Sequence, residues 1–371
     1  MNDLPRKLIV PKNVTDALRQ LVYPGSSQDI VSMDMVQEIR IAGKKVSFSL
    51  VFQRSDDPNI AGLIKACEET LIRELGPDVE IRGNIAVKAI HQMERPVLPE
   101  VKSIVAVASG KGGVGKSTVA VNLAVALAKS GARVGLIDAD IFGPSVPKMF
   151  GAEKVQPAGN KVEGREVIEP VVQYGVKILS IGFFVDPADA LVWRGPMASN
   201  ALKQLITQGN WGALDYLLID LPPGTSDIHL TLVQTVPVTG AIIVTTPQDV
   251  ALADVIKGVN MFRSKTVDVP VLGLIENMAW FTPEELPDNK YYIFGRDGGK
   301  KLAEQMELPL LGQIPLVQGI REGGDQGKPV AVDENSPMGR AFLEVAANTI
   351  KQVEQRNALL DPTKKVKVQR K

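Results

Sequence analysis

The sequence predicts an α/β protein, a doubly wound and mostly parallel sheet preceded by a small α+β domain, and three observations carry that reading. From residue 103 onward, near-continuous apolar runs of strand length recur: SIVAVAS, RVGLID, YLLIDL, GAIIVTT and VLGLIEN. Such runs suit strands buried on both faces, and the helical stretches between them imply βαβ units. Before residue 93 the pattern differs, with short helical and alternating segments, and the proline-bearing stretch MERPVLPEV lies between the two regions.

Taken in order, Val14 to Val22 carries apolar residues at helical spacing, and Met35 to Phe52 alternates around Ala42-Gly43 as a hairpin would. Asn59 to Leu75 is helical again, with Ile60, Leu63, Ile64, Cys67 and Leu71 on one stripe, and Ile81 to Val87 reads as a strand. This places a small domain at 1–92, a linker at 93–102 and the larger domain at 103–357. Within the latter, Thr118 to Lys129 reads as the helix after the first strand. The last helix spans Gly339 to Asn357, with Phe342, Val345, Ile350 and Val353 facing the core. The remaining 358–371 ends in KKVKVQRK, a basic tail whose default is solvation.

A chain of 371 residues accommodates two domains, and 44% apolar with 23% charged residues is the balance of a soluble globular protein. Forty-two basic residues offset forty-two acidic ones, so no global field favours nucleic acid or an anionic membrane. No apolar run is long enough to span a bilayer, and MNDLPRKLIV lacks a signal peptide's apolar core. A single cysteine, Cys67, excludes an intrachain disulfide and fits a reducing compartment, hence a cytoplasmic protein.

The chemistry begins at SGKGGVGKST, residues 109–118. Gly110, Gly112 and Gly115 satisfy the dinucleotide fingerprint, and Asp138 sits near where that motif wants its acidic residue. The same letters satisfy the phosphate-cradling P-loop, and three features favour it. Lys116 and Ser117 supply an ammonium for the β/γ-phosphates and a hydroxyl for Mg²⁺. Asp220 ends an apolar strand, where a carboxylate can hold the magnesium shell. Gly224 in the PPG that follows lets backbone approach a γ-phosphate. The implied ligand is ATP with Mg²⁺. Residues Gly110, Lys111, Gly112, Gly113, Val114, Gly115, Lys116, Ser117 and Thr118 surround the phosphates, and Ser117, Asp138 and Asp220 hold the metal shell. Of the two aspartates in DADIFGPS, Asp138 and Asp140, one binds the magnesium waters while the other, taken as Asp140, orients the attacking water. The competing role for either is a helix N-cap.

The extra lysine, Lys111, resembles the deviant Walker A of the SIMIBI-class ATPases, the group of the MinD/ParA partition proteins. That resemblance implies a homodimer in which Lys111 reaches the partner's nucleotide while Lys116 serves its own. DADIFGPSVP, WRGPM at 193–197, DLPPGTSD at 220–227, ENM at 276–278 and YIFGRDGG at 292–299 are closer still to the Mrp/ApbC branch of iron–sulfur cluster carrier ATPases. The N-terminal unit, with DIVSMDMVQEI, resembles the MIP18-like domain often fused ahead of them. The resemblance implies ATP binding and hydrolysis, delivery of clusters to apo iron–sulfur proteins, and contact of Asn277 with adenine, unless Asn277 merely caps a turn.

The sequence departs from that branch where the cluster would sit. Members usually carry C-x-x-C shortly after ENM; here NMAWFTPEELPDN places Pro283 and Leu286 at those positions. The N-terminal domain's usual cysteine before a proline is Asp57 before Pro58. A four-iron cluster takes four thiolates, and two copies of this chain offer Cys67 twice. His91 and His229 make no convincing site. The open readings are therefore a cluster held with partner or small-thiol ligands, an ATPase partner of another scaffold, or a MinD/ParA-like switch without a cluster. Trp280, Phe281, Tyr291 and Tyr292 bracket the altered loop, as a docking surface or as packing.

Overall fold

The computed structural model describes residues 9–26, 28–91, 97–162, 164–185, 195–283, 285–286 and 288–366, without the side chains at 90 and 91. Linker residues 92–96, Trp193 and Arg194 of the WRGPM stretch, the His91 side chain and tail residues 367–371 lie outside them. Two compact units divide the chain, Met1–Pro96 and Val97–Lys371.

In the first unit, α1 (Pro11–Leu18) and α2 (Ile60–Leu75) accompany a sheet of β1 (Val36–Ala42), β2 (Lys45–Arg54) and β3 (Ile85–His91). β1 and β2 form the expected antiparallel hairpin, and α2 is the crossover that lets β3 run parallel to β2. Val46, Phe48, Leu50, Leu63, Cys67 and Leu71 meet in the core. Two boundaries differ from the sequence reading. The first helix stops at Leu18, since Pro24 disfavours helix before it and Val22 pairs with Asp29. Ile81 is buried as core, yet the strand starts only at Ile85, because a turn closes from Asn84 N–H to the Ile81 carbonyl at 2.9 Å.

The second unit begins with β4 (Val101–Ser109), α3 (Lys116–Lys129), β5 (Val134–Asp138) and the short α4 (Val146–Met149). A hairpin of β6 (Gly159–Val162) and β7 (Arg165–Ile168) leads to β8 (Val171–Gln173) and β9 (Val176–Ser180). There follow α5 (Gly195–Gln208), β10 (Leu214–Asp220), α6 (Asp227–Thr235), β11 (Gly240–Thr245), α7 (Asp249–Arg263) and β12 (Val271–Phe281). The unit closes with α8 (Gly298–Gln305), β13 (Leu310–Leu316), α9 (Gln318–Asp325) and α10 (Pro337–Leu359). Eight strands form one sheet in the order β13-β12-β11-β4-β10-β5-β9-β8, parallel except for β8. Because both faces are covered, the central strands are mostly apolar up to the carboxylates at their ends; every residue of β5 and β11 is buried. Separate hydrophobic clusters lie on the two faces, one including Leu202, Trp211 and Phe262, the other Leu123, Leu127 and Phe342. The chain winds outward from β4 in both directions, so the crevice at the carboxyl ends of β4, β5 and β10 is where a doubly wound sheet places its ligand.

Candidate functional site

β4 ends at Ser109 and the chain turns through 110–115 into α3, whose N-cap Gly115 has φ 78°. Glycine is required there twice over: the left-handed conformation strains any other residue, and an added Cβ would lie 2.3 Å from the Asn277 amide nitrogen. At Gly110 a Cβ would sit 2.4 Å from the Asp254 backbone, so this glycine lets α7 close against the loop. Lys111, Gly113, Ser117, Thr118, Asp140 and Pro223 line a cleft of about 220 Å³ above it.

Beneath the cleft is a buried charge cluster. Lys116 Nζ donates to Asp220 Oδ1 at 2.6 Å and stands 3.3 Å from Ser117 Oγ. Asp220 is fully buried, and its Oδ2 has no hydrogen-bond partner among the described residues. The register of β10 against β5 sets Asp220 beside Asp138. Asp138 accepts from Ser180 Oγ at 3.0 Å, from Asp140 N–H at 3.2 Å and from Val146 N–H at 3.3 Å. Burial, and then the neighbouring Asp220 charge, push its carboxyl up to about 7. Burial also raises Asp140, which rests at the cleft rim.

The segment after β10 lies along the P-loop. Gly224 N–H donates to the Ser109 carbonyl at 2.9 Å, and Pro223 faces Gly112. One turn on, Ser226 N–H donates to His229 Nδ1 at 3.2 Å, tying the start of α6 to that ring. Asn277, at 6% exposure, donates its amide to the Val114 carbonyl at 2.8 Å and so braces the P-loop from β12.

Sequence reasoning identified the loop and its carboxylates but missed Ser180, the His229 brace and Glu276. The buried Glu276 accepts from the N–H groups of Gly299 and Lys300 at the start of α8, and from Gln313. The signal for it was the glycine pair at 298–299, which admits a carboxylate to that helix start. Past Asn277, Phe281 and Tyr291 pair as a two-sided bridge, with Lys290 Nζ 3.9 Å over Trp280 and Arg296 4.9 Å over Tyr292.

The residues fit Mg²⁺ with a nucleotide: Asp220 Oδ2 is buried without a hydrogen-bond partner among the described residues, and Lys116, bonded to Asp220 Oδ1, also stands 3.3 Å from the Ser117 hydroxyl at a phosphate-binding helix start. Among the described residues no three His, Cys, Asp or Glu side chains could hold a metal by themselves. The donor set does not fit an iron–sulfur cluster. Cys67, the one cysteine, is fully buried in the first unit, and burial pushes its thiol up to about 12. Leu286, at one of the departed cysteine positions, is 48% exposed.

Comparison with known proteins agrees with this geometry. Residues 100–350 match the family described as NUBPL iron-transfer P-loop NTPase, and residues 11–82 match the iron-sulfur cluster assembly protein family. An iron-sulfur cluster carrier protein of Synechocystis sp. is 44% identical over 341 residues, covering 90% of this chain and 95% of that protein. The iron-sulfur cluster transfer protein NUBPL of Dictyostelium discoideum is 46% identical over 265 residues, covering 71% of this chain and 80% of its own. Among solved structures, the nucleotide-binding protein of Archaeoglobus fulgidus in complex with ADP superposes with a TM-score of 0.57 at 37% identity, covering 67% of this chain and 94% of that one. With the phosphate loop and its paired carboxylates in place, the chain belongs to the NUBPL iron-transfer P-loop NTPase family, carrying an iron-sulfur cluster assembly domain ahead of the NTPase.

Proposed function

We propose that this protein is a Mg²⁺-dependent ATPase that acts as a homodimer in the cytoplasm and drives the transfer of iron–sulfur clusters held by thiolates of a partner scaffold to apo-proteins. The observation that carries the reading is the buried Lys116–Asp220 pair beneath a complete P-loop, joined to a donor set too poor in thiolates for the cargo. Lys116 is placed to leave Asp220 for the β/γ-phosphates when nucleotide enters, and Ser117 with Asp220 and Asp138 would hold the magnesium shell. Mg²⁺, when bound, supplies Lewis-acid neutralisation of phosphate charge. Asp140, at the rim, orients the attacking water, and Lys111 reaches the partner's nucleotide. Asn277, which braces the P-loop through the Val114 carbonyl, contacts the adenine in this reading. Gly224 senses the γ-phosphate and passes its loss to α6. Membership of the iron-transfer family favours this reading over a MinD/ParA-like positioning switch.

The test follows a cluster preassembled on a thiolate-rich scaffold as it moves to an apo-ferredoxin, with this protein and ATP or ADP. The expected result is transfer at least about tenfold faster with ATP, abolished in Lys116→Ala, and no stoichiometric iron on the protein alone after anaerobic reconstitution. Equal transfer rates with ATP, ADP and Lys116→Ala would overturn the nucleotide-driven role.

A further inference from the structure

Strand β12 touches the P-loop with two consecutive residues just before it slips from its ladder. Asn277 donates to the Val114 carbonyl at 2.8 Å, and the Met278 methyl lies 3.7 Å from where a Cβ on Gly115 would stand. Met278 has φ 55°, a left-handed conformation that is unfavourable for a side chain unless its surroundings hold it. The register then shifts: Asn277 pairs with Ile314 of β13 but Phe281 with Leu316, four positions along β12 against two along β13. Beyond the shift, Phe281 and Tyr291 exchange N–H···O=C bonds of 2.8 Å, and Lys290 Nζ lies over the Trp280 ring. Farther on, the chain is tied back to β12. Glu276 accepts from the Gly299 and Lys300 N–H groups and from Gln313, which also donates to Asp297 Oδ1 at 3.0 Å. The aromatic arm made of 279–281 and 290–293 is thus rooted on residues 276–278, and Met278 is where it meets the loop.

We propose that Met278 is a positioning residue that couples this arm to the nucleotide-binding loop: packing of the arm sets nucleotide affinity, and bound nucleotide in turn tightens the arm. This coupling rests on nucleotide binding at the P-loop, part of the function proposed above, and on neither hydrolysis nor cluster transfer. Gly113 and Gly115, at φ 80° and 78°, make the loop backbone pliable, so its phosphate-binding shape needs support from outside. Asn277 fixes one carbonyl of that stretch, and Met278 covers the glycine after it. Relaxation of φ at 278 toward the favoured region swings the arm and lifts the side chain from Gly115 in one step. The chain therefore has two arrangements that loop and arm both bias. By reciprocity, a ligand that favours the braced loop favours the packed arm.

The experiment titrates full-length, fluorotryptophan-labelled protein with Mg-ADP, by calorimetry for affinity and by fluorine NMR for the arm. Of the three resonances, from Trp193, Trp211 and Trp280, the one lost in Trp280→Phe reports the arm. The expected result is that this resonance shifts on saturation with ADP. Lys290→Met, which takes the cation off Trp280, should weaken ADP binding about threefold or more. Met278→Gly keeps the left-handed backbone and removes the side chain from Gly115; Met278→Asn, also tolerant of that conformation, does the same should glycine loosen the fold. In either variant the resonance should stay still on ADP binding and Lys290→Met should no longer change affinity, whereas Met278→Leu should retain both effects. A shift that persists in Met278→Gly and Met278→Asn, or a Lys290→Met loss that is equal with and without the Met278 side chain, would overturn the proposal. ADP binding with a still Trp280 resonance in the wild type would overturn it while leaving the nucleotide site standing. Absence of ADP binding would overturn the nucleotide reading as well.

Discussion

His229 shows how one side chain can couple the start of α6 to solvent conditions. It is 1% exposed and sits at the third position of α6, where its Nδ1 accepts from Ser226 N–H. That bond requires a neutral ring with its proton on Nε2, which has no partner among the described residues. Burial therefore holds the imidazole down at about 4, below its ordinary 6.5. Between those two values the unfolded chain binds the proton and the folded one does not. The stabilisation is complete above about pH 6.5 and is lost progressively as pH falls toward 4, by at most about 3 kcal/mol. Glutamine at this position keeps an acceptor for Ser226 without titrating. His229→Gln is thus expected to match the wild type in urea at pH 7.5 and to be the more stable protein at pH 5.0. An identical acid loss in both would remove His229 as the cause.

At the level of elements, what was legible followed from burial pattern. β4, β5, β10, β11 and β12 announce themselves as apolar runs because each is covered on both faces. β6 and β7 carry no such signal, being exposed over most of their length, and β8 is three residues with Val172 at 60% exposure. β13 hides behind Gly312 and Pro315, which an edge strand tolerates. The site divides in the same way. The P-loop, Asp138 and Asp220 were readable because local motif and strand end suffice, whereas Ser180 and Glu276 gain their roles from partners 42 and 23 residues away. The α2 stripe was equally legible and carries its own prediction. Cys67 lies in that stripe with no exposed surface, so a thiol reagent should find no reactive cysteine in the native protein and one per chain in denaturant. Cys67→Ser should cost roughly 1–3 kcal/mol in urea unfolding by burying a hydroxyl in an apolar core. Rapid native labelling would contradict the core assignment.

For the whole molecule, the two lysines of the P-loop divide the labour of the proposed dimer. Lys116 is committed within its own chain, at 5% side-chain exposure against Asp220. Lys111 makes no side-chain hydrogen bond or ion pair among the described residues and lines the open cleft, where its backbone carbonyl accepts from Ser109 Oγ. A loop lysine held by its backbone with a free ammonium at the mouth is suited to act outward. Lys116→Ala should therefore abolish ATP binding, whereas Lys111→Ala should retain binding and lose hydrolysis by about a hundredfold or more, as loss of a charge-stabilising finger does. Mixing separates action within a chain from action across the dimer. A hybrid dimer of the two variants has one complete site, the intact Lys116 of one chain facing the intact Lys111 of the other. Equal amounts of the two, freely exchanging, should recover about one quarter of wild-type ATPase activity, since half the dimers are hybrids with one working site of two. If Lys111 serves its own nucleotide, the hybrid holds no complete site and the mixture stays as inactive as its parts.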